Sequence, residues 1–380
     1  MFPPILGNEP RIGSLLIKPA SALCNLDCAY CFYLDRATDP YQALPHRTMT
    51  PETQERMVQS FLAYSYPNSV FAFQGGEPTL AGLPFFRRLV ELETRYGRSG
   101  HNISNALQTN GMLLDEEWCR LFKDYNWLIG ISMDGPAEIH DAYRVNKAGH
   151  ATWKRVMQSI ETMQKHQVEF NVLCVVNQIN VTRAREVYEF FRGLGIDNVQ
   201  YIPLSEFDGQ GNRLPYTITS EEYGKFLCET FDLWWPERRT MRIRFFDNLA
   251  EGLAGQKPGS CTMHETCDSY AVVEYNGDVY PCDFFVEKTW KLGNLMHNSW
   301  EQMARNPRRF QFAANKAIGH PVCSKCQWEA LCHGGCPKSR HAPHNRFEDL
   351  DYFCTAYKMV FAKTVEPLRQ DVRRLLGQGR

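Results

Sequence analysis

Short apolar runs alternate with longer amphipathic stretches between residues 13 and 205. Six runs rich in aliphatic and aromatic residues predict strands: Ser14–Lys18, Ser69–Gln74, Asn105–Thr109, Trp127–Ser132, Glu169–Val176 and Asn198–Ile202. The stretches between them predict helices, among them Pro51–Tyr64, Pro84–Tyr96, Ala151–His166 and Thr182–Leu194. The first of these helices follows Thr50, a good N-cap residue, with proline at its first position. Alternating strands and helices indicate a parallel sheet with helices outside, so the predicted fold is α/β, a complete or partial (β/α)6 barrel.

The pattern changes after residue 205. Residues 206–260 predict a helical bridge that includes Ser220–Trp235, and short elements with turns follow Cys261. Tyr270–Tyr275 and Asp278–Tyr280, joined by Asn276 and Gly277, predict a β-hairpin, since Asn-Gly suits a tight turn with positive φ. The end of the chain predicts an amphipathic helix. We therefore divide the chain into four segments: an extension (1–12), the partial barrel with its helical bridge (13–235), a cysteine-rich domain (236–360) and a terminal helix (361–380).

Composition and charge exclude several protein classes. Of the 380 residues, 43% are hydrophobic and 22% charged, which excludes a disordered or collagen-like chain. Forty-two basic residues balance 43 acidic ones, so we expect no general attraction to nucleic acid or to anionic membranes. No run of 18 apolar residues exists, which excludes a spanning helix. Residues 1–13 show no secretory pattern, so we expect a cytoplasmic protein in a reducing compartment.

The chain has 14 cysteines, and their clustering is informative. A chain of this length can build a hydrophobic core without disulfides, and we expect reducing conditions, so clustered thiols indicate metal or cluster ligands. Three cysteines lie within eight residues, and eight others lie in the last third of the chain. Three more are isolated, which is typical of small buried apolar residues: Cys119, Cys174 and Cys228.

Cys24, Cys28 and Cys31 follow the first strand with the spacing C-x3-C-x2-C. Structural zinc and fully ligated four-iron clusters both use four protein ligands, whereas three thiolates can leave one iron open. The alternative is a zinc site completed by a distant residue. With Tyr30 before the last cysteine, the motif resembles that of radical S-adenosylmethionine (SAM) enzymes, in which the open iron chelates the amino and carboxylate groups of SAM.

Neighbouring motifs extend this resemblance. Gly75 and Gly76 end the second strand, where missing side chains let a ligand approach the backbone, and a carboxylate at Glu77 can accept hydrogen bonds from an ammonium group. Taken alone, each motif is also compatible with an ordinary turn or a solvated side chain. The resemblance implies SAM contacts at six positions: Tyr30, Gly76, Glu77, Ser132, Arg144 and Ser205.

The second group of cysteines contains the core spacing C-x2-C-x5-C-x3-C. Eight thiols make two sets of four, and a pair of zinc-ribbon sites is one explanation. The spacing also resembles the SPASM extension of radical SAM enzymes, which carries two auxiliary [4Fe–4S] clusters. That resemblance assigns Cys261, Cys267, Cys282 and Cys336 to auxiliary cluster I, and Cys323, Cys326, Cys332 and Cys354 to auxiliary cluster II. Four thiolates leave no open iron, which suits electron transfer.

Nearly the whole chain is similar to anaerobic sulfatase-maturating enzymes. The matching stretches are Leu16–Ala20, Cys31–Tyr33, Phe71–Gly82, Leu107–Gly111, Ser132–Pro136 and Val279–Phe284. The resemblance implies oxidation of one Cys or Ser of a sulfatase to Cα-formylglycine. A 5′-deoxyadenosyl radical from SAM removes a hydrogen from the β-carbon, and loss of a proton and an electron then gives the aldehyde, or a thioaldehyde that water hydrolyses.

The same resemblance implies roles for further residues and partners. Asp283, beside Cys282, matches the family's general base, although a solvated turn residue is the alternative; Tyr33 and Gln74 match the substrate pocket. The implied cofactors are three [4Fe–4S] clusters and SAM. The expected partners are a sulfatase polypeptide and an external one-electron reductant of flavodoxin or ferredoxin type, with no nucleic acid, no membrane and a monomeric chain.

Two other functions stay open at the level of sequence. A SPASM enzyme that modifies a ribosomally made peptide is the first, and a separate peptide-recognition domain at the N-terminus would favour it. A non-enzymatic zinc or iron–sulfur scaffold is the second, and the open coordination expected at the Cys24 loop argues against it.

Overall fold

The computed structural model describes residues 11–33, 40–41, 48–340 and 347–377, which form one sheet with helices packed around it. The strands are β1 (Ser14–Lys18), β2 (Asn68–Phe73), β3 (Asn102–Thr109), β4 (Leu128–Ser132), β5 (Phe170–Val176), β6 (Asn198–Pro203), β7 (Arg242–Ile243), β8 (Ala271–Glu274), β9 (Asp278–Tyr280) and β10 (Gly293–Asn294). The helices are α1 (Pro51–Ser65), α2 (Leu83–Tyr96), α3 (Glu116–Asp124), α4 (Ala137–His140), α5 (Trp153–Lys165), α6 (Ala184–Gly193), α7 (Ser220–Trp234), α8 (Arg244–Leu253), α9 (Trp300–Ala304), α10 (Pro307–Ile318), α11 (Glu329–Cys332), α12 (Pro337–Arg340) and α13 (Cys354–Gly377).

Strands β1 to β6 lie side by side in chain order and are all parallel. The predicted partial α/β barrel is therefore confirmed, and each of its six strands begins and ends close to the predicted residues. Along most of these strands buried residues alternate with partly buried ones, so one face packs into the core and the other is only partly covered. Because the strands are parallel, their carboxyl ends meet at one edge, and the loops that follow them share one space.

The predicted hairpin is present as β8 and β9, and Gly277 in its turn has a φ of +84°. The hairpin also extends the main sheet, because β8 pairs in parallel with β1, with Lys18 opposite Glu274. The cysteine-rich half of the chain is thus joined to the barrel edge through backbone hydrogen bonds. This pairing brings the loop after β9 next to the carboxyl end of β1.

Local sequence explains where several helices begin. Thr50 caps α1 by accepting a hydrogen bond from Thr53 N, as the predicted N-cap requires. Helix α3 was not among the predicted elements, although Asp115 caps it by accepting from the backbone of Glu117 and Trp118. The terminal helix begins at Cys354, earlier than the predicted residue 361, so that boundary falls inside α13. Within the described ranges, no helix combines the length and hydrophobicity needed to span a bilayer.

Candidate functional site

The three cysteines of the first motif lie in the loop after β1, at the carboxyl edge of the sheet. Cys28 is buried in a small apolar cluster, and Cys24 and Cys31 pack against it. Asn110, at the end of β3, donates from Nδ2 to Cys24 Sγ at 3.6 Å. Burial raises the pKa of the Cys28 thiol to about 12, and Arg144 opposes that increase. Because metal ligation requires thiolates, iron bound here would displace protons from a largely apolar site.

Gly75 and Gly76 pack against the loop that carries these cysteines. Gly75 has a φ of +124°, and a Cβ atom on Gly76 would lie 2.1 Å from the carbonyl oxygen of Leu23. Gly76 N donates to Ser21 O at 2.8 Å. The glycine pair therefore does more than open space for a ligand: it lets the end of β2 hold the backbone of the cysteine loop.

Replacing Gly76 by Ala is expected to displace the cysteine loop. Overpacking of this kind costs about 1–3 kcal/mol, so we expect a lower melting temperature and reduced iron in the purified protein. Thermal unfolding and iron analysis measure both effects. Gly13→Ala is the matched control, because a Cβ atom there has nothing within 4 Å. A Gly76→Ala protein with wild-type stability and iron content would contradict this account of the glycine pair.

Glu77 is fully buried, and its carboxylate is occupied by neighbouring donors. Oε1 accepts hydrogen bonds from the backbone and hydroxyl of Thr79 and from the Thr109 hydroxyl, and Oε2 accepts from Asn110 N at 2.7 Å. Glu77 does not line the cavity described below. The structure thus gives its carboxylate a different contact from the ammonium group that the sequence suggested, since it ties the end of β2 to the end of β3. Its contact with SAM stays a prediction.

Asp134 joins two of the residues predicted to contact SAM. Tyr30 donates its hydroxyl to Asp134 Oδ2, and Arg144 Nε donates to the same oxygen at 3.1 Å. Val175 N donates to the other carboxylate oxygen at 3.0 Å. The Arg144 guanidinium also lies 5.4 Å from the centre of the Tyr30 ring. These contacts fix the phenol and the guanidinium beside the cysteine loop.

A cavity of about 550 Å³ lies at the carboxyl ends of the strands. This volume is within the usual range for a small-molecule site, about 300–1,000 Å³. The cavity reaches from Cys24 to Cys261 and Cys336 and so connects the two halves of the chain. Among the predicted site residues, those that line it besides cysteines are Tyr30, Tyr33, Gln74, Gly76, Ser132, Arg144, Ser205 and Asp283.

Asp283 is buried at the wall of this cavity, next to Cys282 and just after β9. Tyr33 donates its hydroxyl to Asp283 Oδ2, and Lys18 Nζ lies 3.3 Å from Oδ1. Lys18 Nζ also lies 2.8 Å from Oε1 of the buried Glu274. Burial raises the pKa of the Glu274 carboxyl, and Lys18 opposes that increase.

This arrangement can accept a proton inside the protein. The Lys18 ammonium lies close to two buried carboxylates, those of Asp283 and Glu274. Asp283 is the one that lines the cavity. A carboxylate at this position is within reach of a molecule in the cavity and is of the type that acts as a general base.

The four cysteines assigned to auxiliary cluster I are neighbours in the structure. Burial raises the pKa of the Cys267 thiol to about 12; Lys316 opposes this, and Cys336 and Cys261 add to it. The pKa of Cys282 is also raised, by burial and then by Cys336 and Cys267. All four thiols therefore lie within electrostatic range of one another.

The four cysteines assigned to auxiliary cluster II surround one small cavity. Cys323, Cys326, Cys332 and Cys354 all line a space of about 30 Å³. Burial raises the pKa of the Cys332 thiol to about 12, and Asp351, Cys354 and Cys323 add to it. The set combines cysteines from a turn, from α11 and from the first position of α13, which accounts for its irregular spacing.

In the described part of the chain, no three His, Cys, Asp or Glu side chains converge on a point where a single metal ion could bind.

Comparison with known proteins identifies the family. The Radical SAM superfamily matches residues 19–191, and an iron-sulfur cluster-binding domain matches residues 261–327. The cysteine-type anaerobic sulfatase-maturating enzyme of Clostridium perfringens is 39% identical over 92% of this chain and 95% of its own length. This chain belongs to the anaerobic sulfatase-maturating enzymes.

Two further relatives agree with this placement in the family. The serine-type anaerobic sulfatase-maturating enzyme of Bacteroides thetaiotaomicron is 36% identical over 91% of this chain and 88% of its own length. The solved structure of native anSMEcpe with bound AdoMet and the Cp18Cys peptide superposes with a TM-score of 0.88 at 37% identity, covering 95% of this chain and 99% of the other. This member of the family is therefore a radical SAM enzyme with a SPASM domain.

Sequence reasoning missed three buried charged residues of this family member. Lys18 and Asp134 lie in stretches that carried the resemblance, yet neither was given a role. Each lies at or just after the carboxyl end of a barrel strand, a position where function is common, and this signal was available in the sequence. Glu274 gave no such signal, because its part in the site depends on the pairing of β8 with β1.

Proposed function

We propose that this chain oxidises one Cys or Ser side chain of a sulfatase polypeptide to Cα-formylglycine and so activates the sulfatase. The observation that carries the proposal is the shared cavity: the three-cysteine loop and Asp283 face the same space. Membership of the sulfatase-maturating family supports the choice of substrate. The solved structure of anSMEcpe with bound AdoMet and a peptide supports a site that takes both molecules.

Three [4Fe–4S] clusters and SAM are the proposed cofactors; when bound, they supply a 5′-deoxyadenosyl radical and an acceptor for one electron. Cys24, Cys28 and Cys31 would hold the cluster that binds SAM. The two sets of four neighbouring cysteines would hold auxiliary clusters I and II. The mutual proximity of the thiols in each set supports these assignments.

The residues proposed to bind SAM surround the cysteine loop. Tyr30 and Arg144 are fixed by Asp134, so they can present a ring and a guanidinium without losing rotamer freedom on binding. Gly76 and Ser132 line the cavity on the same side, at the ends of β2 and β4. Two other residues are proposed to contribute less directly. Ser205 would act through its backbone, and its carbonyl oxygen accepts a hydrogen bond from Lys338. Glu77 would act at a distance, because its carboxylate holds the ends of β2 and β3 together.

Asp283 is the proposed general base. After a hydrogen atom leaves the β-carbon, the adjacent hydroxyl or thiol must lose its proton, and a positioned carboxylate can accept it. Tyr33 donates to one oxygen of Asp283, and Lys18 lies beside the other. These contacts hold the carboxylate at the cavity wall. Gln74 lines the same cavity and is proposed, with Tyr33, to contact the substrate side chain.

Lys18→Met is expected to lower the yield of aldehyde per SAM cleaved by about tenfold, an order-of-magnitude value for a mispositioned base. Removing the ammonium takes away the contact beside Asp283 Oδ1, so the carboxylate should no longer be held in place at the cavity wall. The measurement is the ratio of formylglycine to 5′-deoxyadenosine formed in the same samples.

Two further variants separate positioning from misfolding. Lys18→Arg keeps the cation and should restore much of the wild-type product ratio. Lys165→Met removes an exposed lysine paired with Glu116 and should change nothing. A Lys18→Met enzyme with the wild-type product ratio would remove Lys18 from the proposal.

Partners, location and domain division complete the proposal. An external one-electron reductant of flavodoxin or ferredoxin type is required, because SAM cleavage consumes one electron. We propose a monomeric chain acting in the cytoplasm, where reducing conditions keep cysteines available for clusters. The boundaries proposed are 1–12, 13–235 and a cysteine-rich domain from 236 onwards, with the terminal helix beginning at Cys354 in place of residue 361.

Mass spectrometry of two matched sulfatase peptides tests the function. The peptides differ only by Cys or Ser at the target position and are incubated with the enzyme, a reductant and SAM. Formylglycine in at least one peptide is the expected result. Reductant-dependent cleavage of SAM without an aldehyde in either peptide would contradict the proposal. An otherwise identical peptide with Ala at the target position is the control.

A further inference from the structure

Lys316, in the last turn of α10, is a buried lysine beside the cysteines assigned to auxiliary cluster I. Its side chain is fully buried. Nζ donates to the carbonyl oxygens of Cys261 at 2.7 Å and Thr262 at 3.1 Å. Among the residues that the structure describes, no carboxylate lies within ion-pair distance of Nζ. Burying an ammonium without a counterion is costly, so its retention at this place calls for a partner.

After burial, the groups with the largest electrostatic effect on Lys316 are thiols of the same set. Burial lowers the pKa of Lys316, whereas Cys267, Cys336 and Cys261 raise it in that order. Arg340, also buried, packs on the same side and donates to the carbonyl oxygens of Lys316 and Gly334. Two buried cations therefore accompany this set of cysteines.

Two other buried cations near the cavity differ from Lys316, because each forms an ion pair with a carboxylate. Arg144, beside the first cysteine loop, is paired with Asp134 at 3.1 Å. Lys18, near Asp283, is paired with Glu274 at 2.8 Å. Lys316 has only neutral carbonyl groups as direct hydrogen-bond partners in the described chain. Its charge is thus available to a cluster held by the neighbouring thiolates.

We propose that the positive charge of Lys316 raises the reduction potential of auxiliary cluster I. The inference rests on the cluster ligands assigned under the proposed function. Reduction adds one unit of negative charge to a cluster, and a buried cation stabilises the more negative state. Net charge near a four-iron cluster is one of the factors that set its potential.

This role fits the place of cluster I in the reaction. Once a hydrogen atom has been removed from the β-carbon, formation of the aldehyde releases one proton and one electron. Asp283 takes the proton, and Cys282 beside it belongs to the set that would accept the electron by one-electron reduction of its cluster. A potential raised by Lys316 makes that acceptance more favourable.

The test is a potentiometric titration of the iron-loaded full chain, followed by electron paramagnetic resonance and without peptide. The cluster bound by SAM is identified by its spectral change when SAM is added, which leaves two SAM-insensitive midpoint potentials. Lys316→Gln keeps a hydrogen-bond donor but removes the charge, and Lys316→Arg keeps the charge. Lys363→Gln, an exposed lysine paired with Asp232, is the matched control.

In Lys316→Gln, we expect the midpoint potential of one SAM-insensitive cluster to fall by about 59 mV. For a one-electron reduction, this shift corresponds to a roughly tenfold lower ratio of reduced to oxidised cluster at a given potential. The other should keep its value, and Lys316→Arg and Lys363→Gln should match the wild type. Unchanged potentials in Lys316→Gln would overturn the inference. Loss of about four iron atoms from that variant would overturn it as well, since Lys316 would then only anchor the loop. Neither readout depends on formylglycine formation.

Discussion

Replacing Asp283 by Asn is expected to leave SAM cleavage intact while lowering formylglycine formation by about 100-fold or more, the usual range for a lost general base. Asn has the same shape and can still accept from Tyr33, so the cavity wall should keep its form. It lacks the charge that faces Lys18 and cannot take up a proton as a carboxylate does. The measurement compares 5′-deoxyadenosine with peptide aldehyde in the same reaction.

Asp232→Asn is the matched control for this variant. Asp232 lies on α7, where it is exposed and paired with Lys363, so its replacement should leave both products at wild-type levels. Aldehyde formed by Asp283→Asn at the wild-type rate would exclude Asp283 as the base. Loss of SAM cleavage together with the aldehyde would show that Asp283 acts before the proton is removed.

Cys28→Ala is expected to abolish SAM cleavage altogether. Cys28 is the buried member of the first cysteine loop, and a methyl group there cannot bind iron. The iron content should fall from about 12 to about 8 atoms per chain, because the two auxiliary clusters have ligands of their own. Iron analysis and 5′-deoxyadenosine measurement give the two readouts.

The isolated cysteines provide the comparison for Cys28. Cys228, on α7, lies apart from the three ligand sets, and Cys228→Ala should keep about 12 iron atoms and full SAM cleavage. A Cys28→Ala enzyme that retained SAM cleavage would contradict a role for the cysteine loop. Equal iron loss from both variants would point to general instability.

The barrel could be predicted from sequence because its strands are short runs rich in aliphatic and aromatic residues that alternate with longer helical stretches. The run Phe170–Val176 is one example. The hairpin around Gly277 was predictable for a local reason, since its turn needs a positive φ that glycine adopts freely. In both cases the information lies within a few neighbouring residues.

The attachment of the hairpin to the barrel could not be predicted in this way. Lys18 and Glu274 are far apart in the chain, and only the pairing of β8 with β1 brings them together. No periodicity within either segment records that pairing. The ion pairs of Lys18 with Asp283 and Glu274 are therefore visible only in the three-dimensional structure. Asp283 itself was expected from the family resemblance.

The orientation of Glu77 was also beyond the sequence. Its place after a glycine pair indicated a ligand contact, yet its carboxylate is held by Thr79, Thr109 and Asn110. A motif places a residue near a site, but the donors that surround its side chain belong to other strands. The neighbouring cysteine loop could be interpreted better, because the spacing of its three thiols is itself the pattern on which the resemblance depends.

A peptide deuterated at the β-carbon of its target residue tests the central claim most directly. The account predicts deuterium in 5′-deoxyadenosine with both the wild type and Asp283→Asn, and an aldehyde with the wild type alone. That pattern would place hydrogen removal at the cysteine loop before proton removal at Asp283. Aldehyde formation without deuterium in 5′-deoxyadenosine would contradict it.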